Sequence, residues 1–450
     1  MSDSLYQRFK EVLKRLSLAP NQQIVIALGG GADSQTLLDC TMRFRQDNPT
    51  YRYLAVHLDH SFHPDSAVWS SSIENAVKKY SVDTIFEPLT VKVEPRQSKE
   101  AAGRERRYQR LYELSDDDAV ILLGQHRNDQ IETFLLQLNR GSGPKGLSAM
   151  AEVHGWHQQR RLVRPLLTVS KTEIYQYAKQ HQLHWIEDDT NYDTRIERNF
   201  LRHNVIPLLE QRWPQFGDSV LRSANLCAEQ QQVLEQLIDD KLKQQLITHR
   251  LLGLGLPVDA LRNNDDAMQR ALIRRWIERT SDGVVSLPSY QQLEQIRQQA
   301  IAARADTKMQ VQCAEYTVHC YQMALWVSAV VSLQISDSVR VNEPGYVQLP
   351  SPWGCLLVTQ SLLSLGPVAI LANKPVGKFA HPRRKGRKTL NDWLKQAQVP
   401  SWLRQSAPLL QVGDEWLWNP LVGWLCNTGE PKIEAAQLEQ SEPTWLSAAD

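Results

Sequence analysis

A glycine-rich loop between an apolar run and an amphipathic helix is the feature that most constrains the fold of this chain. The run Ile24-Val-Ile-Ala-Leu28 is typical of a buried parallel strand, and Gly29-Gly-Gly-Ala-Asp-Ser34 follows it directly. Leu37, Leu38 and Met42 then recur on one side of a predicted helix. A helix N-terminus after such a loop presents free N–H groups and positive dipole charge. The stretch therefore predicts an anion site, usually for phosphate.

Two common phosphate-binding loops do not match this stretch. No Gly-Lys-Ser/Thr sequence follows the glycines, which excludes the mononucleotide P-loop. Ser34 stands where the dinucleotide-binding pattern needs its third glycine. An ordinary strand-to-helix turn of an α/β protein remains as an alternative that the rest of the chain has to decide.

Composition limits the class of protein. A chain of 450 residues with 42% hydrophobic and 22% charged residues is typical of a soluble globular protein of two or three domains. Neither a membrane span nor a signal peptide is visible, so we expect a cytoplasmic protein with no membrane contact. The six cysteines include no C-x-x-C pair, which predicts reduced thiols. Since the net charge is +1, a nucleic-acid partner needs a local basic patch.

Strand-like and helical segments alternate along the first 215 residues. The predicted strands after Leu28 cover 53–58, 84–86 and 119–124, and the predicted helices between them cover 66–80 and 99–114. This order predicts a doubly wound parallel sheet, in which the C-terminal ends of the strands line one crevice. The stretch 141–170 is predicted to be rich in loops.

Carboxylates follow the first and the last of these strands. Asp33 opens the helix after the glycine loop, and Asp129 lies in His126-Arg-Asn-Asp-Gln-Ile-Glu-Thr133. Phosphate chemistry needs Mg²⁺ held by oxygen ligands, so Asp33 and Asp129 are candidate ligands. The alternative for Asp129 is a carboxylate that complements a helix dipole.

The helix predicted over 99–114 carries basic and apolar residues on one face. Arg104, Arg107, Tyr108 and Leu111 are spaced as i, i+3, i+4 and i+7. Two guanidinium groups on such a face can bind phosphates through paired hydrogen bonds. The alternative is a solvated basic helix surface.

A basic run near the C-terminus is followed by aromatic residues. His381-Pro-Arg-Arg-Lys-Gly-Arg-Lys388 holds five basic residues in eight, and Trp393, Trp402 and Trp416 come after it. Basic residues interleaved with aromatic ones suit loop or single-stranded RNA, through phosphate neutralisation and base stacking. A solvated loop is the alternative.

Four stretches occur in a specific order. They are Gly29–Ser34, Glu100–Tyr108, His126–Thr133 with its continuation Arg140–Leu147, and Trp185–Asn191 with Arg198–His203. Together they resemble the tRNA(Ile)-lysidine synthetases, a family of PP-loop ATP pyrophosphatases. Gly29 replaces the serine usual in the family's loop, and Asn128 replaces the first of two frequent aspartates.

The resemblance implies a fold and a reaction. The implied domains are a PP-loop catalytic domain with a Rossmann-like sheet (1–215), a mainly helical middle domain (216–333) and a small α+β tRNA-binding domain (334–450). The implied enzyme ligates free lysine to C2 of the wobble cytidine in the CAU anticodon of a minor isoleucine tRNA, through an adenylated tRNA. The product, lysidine, pairs with A and changes the tRNA identity from Met to Ile. ATP and Mg²⁺ are implied as cofactors, and a homodimer is expected.

The resemblance also implies site residues. The implied catalytic residues are Asp33, Asp129 and Arg107, and Mg²⁺ would bind Asp33 and Asp129. The implied ATP-binding residues are Ala27, Leu28, Gly29, Gly30, Gly31, Ala32, Asp33, Ser34, His57 and Gly124. The residues implied to contact tRNA or lysine are Arg104, His126, Asn128, Glu132, Arg198, Arg383, Arg384, Lys385, Arg387 and Lys388.

Three other functions share part of this pattern. A sulfur-inserting PP-loop tRNA thiolase needs reactive or cluster-binding cysteines, often as C-x-x-C, which are absent here. An amide-forming synthetase, such as those that make GMP or NAD, has no use for an RNA-binding segment at 380–425. A tRNA-binding protein with an inactive nucleotide site is kept open by Gly29 and Asn128.

Overall fold

The computed structural model describes residues 2–59, 61–93, 98–280, 286–304, 308–329, 338–349, 352–371, 374–428 and 431–446. These residues belong to two compact units, Met1–Leu234 and Glu235–Asp450. The division into three domains stays a prediction, and its second boundary, between residues 333 and 334, lies outside the described residues.

The first unit alternates strands and helices, as expected. Its strands are β1 Gln23–Leu28, β2 Arg52–Asp59, β3 Asp83–Pro88, β4 Val120–Leu122, β5 Val153–Trp156 and β6 Arg160–Val163. Its helices are α1 Ser2–Arg15, α2 Ala32–Asp47, α3 Ser66–Lys78, α4 Lys99–Leu114, α5 Arg127–Asn139, α6 Pro144–Leu147, α7 Lys171–Gln180, α8 Glu197–Phe200 and α9 Ile206–Arg212. A 3₁₀ turn spans Asp189–Tyr192, and a π-helical turn, Leu201–Val205, connects α8 to α9. Helix α10, Phe216–Lys243, begins in this unit and ends in the second.

The strands form one sheet in the order β3-β2-β1-β4-β6-β5. All neighbours are parallel except β5, which runs antiparallel to β6. Side chains of α1, α2 and α7 share one hydrophobic core with β1, whereas Leu111 of α4 joins a second core that includes Val25 and Val56. Helices therefore cover both faces, and the predicted doubly wound parallel sheet is confirmed.

The stretch 141–170, predicted to be rich in loops, also holds short elements that the sequence did not reveal. The segment contains α6, β5 and β6, and β6 pairs in parallel with β4. The strand β6 was not recognised because it begins with arginines, which are rare in buried strands. Arg160 is nonetheless buried, and its guanidinium forms hydrogen bonds with Ser115 and Asp117. A buried arginine with this many partners satisfies its own donors and does not interrupt a core strand.

The second unit contains more strands than its sequence suggested. Its strands are β7 Ile247–His249, β8 Gly253–Pro257, β9 Gln310–Gln312, β10 Tyr316–Tyr321, β11 Ala324–Ala329, β12 Val339–Val341, β13 Gly345–Gln348, β14 Cys355–Val358, β15 Val368–Ile370, β16 Lys378–His381, β17 Arg384–Thr389, β18 Leu410–Val412, β19 Trp416–Asn419, β20 Gly423–Cys426 and β21 Thr444–Leu446. Its helices are α11 Val258–Arg262, α12 Asp266–Thr280, α13 Tyr290–Ala302, α14 Gln360–Leu363, α15 Leu390–Gln396 and α16 Ala435–Gln440.

Three sheets organise these elements. Beside helices α11, α12 and α13 lies an antiparallel sheet in the order β7-β8-β11-β10-β9, packed around Trp276 and Leu293. The C-terminal part forms the sheets β12-β15-β18-β19-β20-β16-β17 and β13-β14-β21, with Trp393 and Trp416 in their core. The small α+β fold of the C-terminal segment is confirmed, and α12 and α13 lie in the segment 216–333 for which the resemblance implies mainly helices. Among the described residues, no helix combines the length and hydropathy needed to cross a bilayer.

A histidine–tryptophan stack connects the first of these sheets to the C-terminal part of the same unit. The His319 ring on β10 lies parallel to the Trp402 ring, with centroids 4.0 Å apart, and its Nε2 is 2.9 Å from the Ser328 hydroxyl. Only 5% of His319 is exposed, and burial lowers its pKa to about 4. The stack therefore requires the neutral imidazole.

We predict that His319 makes the stability of the protein depend on pH. The unfolded chain takes up this proton near 6.5 and the folded chain only near 4. The contribution is therefore complete above pH 6.5 and is lost as the pH falls toward 4, by about 3 kcal/mol, since each pKa unit corresponds to about 1.4 kcal/mol. Chemical denaturation across this range should show a shallower slope for His319→Phe, which keeps the ring stack. The exposed His184→Gln is the control; equal slopes for wild type and His319→Phe would contradict the prediction.

Candidate active site

The glycine loop forms a preorganised turn at the centre of the sheet. It leaves β1 at Leu28 and enters α2, whose N-cap residue, Gly31, provides no side-chain cap. The Ser34 hydroxyl accepts a hydrogen bond from the Gly30 N–H (2.9 Å) and donates one to the Gly31 carbonyl (3.0 Å). Ser34 therefore closes the loop on itself and leaves the start of the helix available to an anion.

The first two glycines of the loop have different requirements. Gly30 adopts φ +92°, and a Cβ there would lie 2.8 Å from Cδ1 of Ile73. Its carbonyl also accepts a hydrogen bond from Ile186 N–H (3.0 Å). A Cβ on Gly29 would meet nothing within 4 Å, so the serine usual in the PP-loop families fits this position.

A cavity of about 240 Å³ opens beside the loop. Leu28, Gly29, Asp33, Ser34 and Gly124 line one side. The apolar part of the lining includes Val56, Leu58, Leu111 and Leu123. The cavity thus joins an anion-binding end to a surface that suits a flat apolar group.

Arginines of α4 complete this first cavity. Arg104, Arg107, Tyr108 and Leu111 all line it, which confirms that they share a face of the helix. The Arg104 guanidinium lies 5.2 Å from the centre of the Tyr108 ring. Burial and then the charge of Arg104 lower the pKa of Arg107. An anion in the cavity would relieve this repulsion.

A second cavity, of about 230 Å³, lies on the other side of Asp33 and Asp129, and both carboxylates line the two cavities. Its remaining charged residues have both signs. The acidic ones are Glu187 and Asp188, and the basic ones include Lys171 and Arg202. This distribution suits a zwitterion better than a simple anion.

The two aspartates differ in their surroundings. Burial raises the pKa of Asp33, and Asp129 raises it further while His126 opposes the shift. Asp129 Oδ2 accepts a hydrogen bond from the His126 N–H (2.9 Å) as part of the capping box of α5. Asp129 is therefore a capping carboxylate at the N-terminus of α5, as the alternative interpretation from the sequence expected. It also lines both cavities.

Glu132 is the most buried charge of the site. Its side chain is 0% exposed and receives hydrogen bonds from Nε and Nη2 of Arg202 (2.7 and 3.0 Å). Arg198 Nε lies 3.3 Å from its Oε2. Since Arg198 lines the first cavity and Arg202 the second, one carboxylate orients a guanidinium for each. Burial nonetheless raises the pKa of Glu132, and Arg202 lowers it.

Four predicted site residues of the first unit, Asn128, His57, Gly30 and Glu132, are not among the residues that line these two cavities. The Asn128 side chain accepts a hydrogen bond from the Lys171 N–H (3.1 Å) and so connects α5 to the start of α7. The His57 ring is buried between the Leu28 carbonyl and the Ser70 hydroxyl, each 3.0 Å away. Gly31, Ala32 and His126 line the second cavity, and Ala27 lines the first. Direct ligand contacts of Asn128, His57, Gly30 and Glu132 stay predictions.

The basic run of the second unit is a hairpin of β16 and β17. Its five basic residues are not equivalent. Arg383 pairs with Glu439, and Arg387 donates to the carbonyls of Lys378 and Asn427. Arg384 and Lys388 lie 5.9 and 5.2 Å from the Trp393 ring, and Lys385 is exposed. Arg384, Lys385 and Lys388 are therefore the better candidates for phosphate contacts.

Several residues that line the cavities were missing from the predicted site, among them Arg202, Tyr108 and Lys171. Arg202 follows Arg198 by four residues, so helical spacing could have indicated it. Tyr108 was recognised only as a member of a helix face. Lys171 gave no signal, because it enters the second cavity only through the packing of α7.

We predict that alanine at Gly30 costs stability and alanine at Gly29 does not. Gly30→Ala forces a Cβ into a left-handed conformation beside Ile73, which should lower the free energy of unfolding by about 1–3 kcal/mol. Gly29→Ala should stay within about 0.5 kcal/mol of wild type. Urea denaturation of both variants measures the difference, and equal losses would contradict it.

We also predict that Glu132→Gln destabilises the protein. Loss of the carboxylate leaves two guanidinium groups without their buried counter-ion, which should cost about 3 kcal/mol. Glu197→Gln, an exposed glutamate on the neighbouring helix α8, is the matched control. Denaturation at pH 7 compares the two; a Glu132→Gln protein as stable as the control would show that the pairs contribute nothing.

Comparison with known proteins places the chain in a family. Its residues 1–209 match the family model of the PP-loop domain, residues 256–326 that of the TilS substrate binding domain, and residues 368–439 that of the TilS substrate C-terminal domain. A solved structure of the U34-tRNA thiolase NcsA from Methanococcus maripaludis covers 50% of this chain and 79% of its own at 15% identity, with a TM-score of 0.44 that supports no conclusion.

Curated relatives extend the similarity to the full length. The tRNA(Ile)-lysidine synthase of Idiomarina loihiensis is 54% identical over 100% of this chain and 98% of its own length. That of Vibrio parahaemolyticus is 34% identical over 92% of this chain and 94% of its own, and that of Shigella flexneri is 36% identical over 88% and 91%. The chain belongs to the tRNA(Ile)-lysidine synthase family.

Proposed function

We propose that this chain joins free lysine to C2 of the wobble cytidine in the CAU anticodon of an isoleucine tRNA, with cleavage of ATP to AMP and pyrophosphate. The observation that supports this most is the position of Asp33 and Asp129, which line two cavities at once. A nucleotide held by the glycine loop in one cavity can thus react with groups delivered through the other. The names of the relatives supply the identity of the substrates.

The first cavity suits ATP. Its apolar wall of Val56, Leu111 and Leu123 offers a surface for the adenine ring, and the loop with the start of α2 offers N–H groups for phosphates. Arg104 and Arg107 reach the same cavity and would neutralise phosphate charge. ATP binding would also remove the repulsion between these two arginines.

The second cavity suits the cytidine and the lysine. Asp129, Glu187 and Asp188 provide negative charge for an ammonium group. Lys171 and Arg202 provide positive charge for a carboxylate, and Glu132 holds the Arg202 guanidinium in place. These carboxylates favour the ammonium form of the lysine ε-nitrogen, so one of them would accept its proton before the amine attacks.

The proposed reaction has two displacements. The O2 atom of cytidine attacks the α-phosphorus of ATP, a P–O bond forms, and the bond to pyrophosphate breaks. The lysine ε-nitrogen then attacks C2, the bond from C2 to the adenylated oxygen breaks, and AMP leaves with that oxygen. Backbone N–H groups at Gly29–Ser34 would stabilise the charge on the leaving phosphates.

Mg²⁺ fits the residues at the junction of the cavities. Magnesium in proteins is held by one or two carboxylates together with substrate phosphates, and Asp33 and Asp129 provide two carboxylates there. Burial without a full counter-charge raises the pKa of Asp33, as expected for a carboxylate that awaits a cation. No cluster of three or more protein ligands occurs among the described residues, so phosphates would complete the coordination. Bound Mg²⁺ would offset charge on the phosphates.

The hairpin of β16 and β17 would bind the tRNA backbone through Arg384, Lys385 and Lys388. Phosphate contacts by these three cations would make tRNA affinity fall with added salt, because each contact releases counterions from the tRNA. A cytoplasmic location and a homodimer belong to the proposal and rest on the family resemblance.

We expect the protein to incorporate labelled lysine into an isoleucine tRNA transcript with a CAU anticodon, in the presence of ATP and Mg²⁺. A methionine tRNA transcript with the same anticodon is the control and should stay unlabelled. Asp129→Ala should reduce the rate by about 100-fold or more, because the variant removes a carboxylate shared by both cavities. Omission of lysine should leave a stoichiometric release of pyrophosphate, since the first displacement does not need it.

Two outcomes would contradict the proposal. Wild-type protein that binds tRNA but neither releases pyrophosphate nor incorporates lysine would favour a tRNA-binding protein with an inactive nucleotide site. Equal labelling of both transcripts would show that the protein does not select isoleucine tRNA over methionine tRNA, which contradicts the proposed substrate.

A further inference from the structure

An exposed aromatic pair stands at the rim of the second cavity. Tyr192, which ends the 3₁₀ turn, is 66% exposed and stacks on the exposed His203 ring of the π-helical turn, with centroids 5.3 Å apart and planes 23° from parallel. Both residues line the cavity that also contains Asp33 and Asp129. The outer face of the Tyr192 ring is open to solvent, so the pair has a free π-surface beside the proposed reaction centre.

The turn that carries Tyr192 is fixed by its polar neighbours. Asp188 accepts hydrogen bonds from the Thr190 N–H and hydroxyl, and Asn199 Nδ2 donates to the carbonyls of Thr190 and Asp193. The His203 Nε2 lies 2.9 Å from the Asn191 carbonyl oxygen. These contacts hold the turn without the tyrosine ring, because none of them involves its atoms.

A second set of contacts anchors the same segment to the rest of the first unit. His63 Nε2 lies 3.1 Å from Asp189 Oδ1, and Ile186 N–H donates to the Gly30 carbonyl. The carboxylates of Asp188 and Asp189 thus hold the turn through contacts with Thr190 and His63. The turn therefore holds the Tyr192 ring at a fixed position. The ring is exposed to water there, which is unfavourable for an aromatic side chain.

We propose that Tyr192 and His203 form a stacking platform for an unpaired base of the tRNA anticodon. This inference rests on the proposed function. The wobble cytidine has to leave the stack of the anticodon loop to reach the cavity, which breaks its contacts with neighbouring bases. Aromatic side chains replace such contacts, since every base has a π-face. Lys171 and Arg202, which line the same cavity, would offset the charge of adjacent phosphates.

The proposal assigns Tyr192 to tRNA positioning and to neither displacement. Tyr192→Ala should raise the KM for the tRNA and its dissociation constant about tenfold, with the KM values for ATP and lysine unchanged. Tyr192→Phe and Tyr192→Trp should retain wild-type values, whereas Tyr192→Leu, which keeps bulk but has no π-face, should behave as Tyr192→Ala. Tyr290→Ala is the control, because Tyr290 is 68% exposed, close to the exposed fraction of Tyr192, and belongs to the second unit.

Transcripts with a single missing base identify the partner. We would measure tRNA binding by filter retention for wild type and Tyr192→Ala, with an abasic nucleotide in turn at each of the three anticodon positions. One of these transcripts should bind both proteins equally, because the stacked base is gone. If Tyr192→Ala lowers the affinity for all three by the same factor as for the intact transcript, the platform does not bind an anticodon base.

The two proposals fail in different ways. Absence of lysine incorporation by wild-type protein refutes the proposed function, and the binding measurement still decides the platform because it needs no chemistry. Full activity of wild type together with an unchanged tRNA KM for Tyr192→Ala overturns the platform alone. A restored KM in Tyr192→Leu would likewise overturn it, since aliphatic packing would then be sufficient.

Discussion

The parallel pairing of β1 with β4 is the constraint on which the candidate site depends. In-register neighbours such as Ile26 and Leu122 bring both strands to an end at the same edge of the sheet. The glycine loop with Asp33 leaves one strand, and the segment that leads to Asp129 leaves the other. Two carboxylates that are 96 residues apart in sequence therefore border the same two cavities. Parallel sheets place ligands at this edge because strand ends and helix N-termini meet there.

A third carboxylate of the site, that of Glu132, is buried and balances the charge of two arginines. Glu132 is hidden from solvent and holds Arg198 and Arg202, and these arginines face different cavities. Buried pairs of this kind add little stability relative to an apolar core, because desolvation opposes the Coulomb attraction, although removal of one partner alone is costly. Their value here is orientation: each guanidinium is held at a known place before any substrate arrives. Asn128 has a different role: its side chain accepts a hydrogen bond from the Lys171 N–H at the start of α7.

Much of the fold could be predicted from hydrophobic patterning, because β1, β2 and β4 are buried apolar runs and α4 has a regular amphipathic face. The motifs of the first unit could be recognised in the sequence because they are local. A loop, a helix start and a helix face each occupy fewer than about ten residues. Strand β6 was missed because Arg160 is buried with its own partners, and β7 and β8 were missed because they are only three and five residues long. The basic run was recognised, but its hairpin and the ion pair of Arg383 with Glu439 were not, since the glutamate lies 56 residues away.

The sequence by itself determined the glycine loop, the order of strands and helices, the absence of paired cysteines and the family, all of which are encoded in residues close together in the chain. Only the tertiary structure decided that Asp33 and Asp129 face two cavities, that Glu132 is a counter-ion for two arginines, and that Tyr192 stacks on His203 at a cavity rim. These contacts join residues from separate elements, and their geometry depends on how the elements pack. Packing is a property of the whole folded unit, so no local pattern of residues could have specified it.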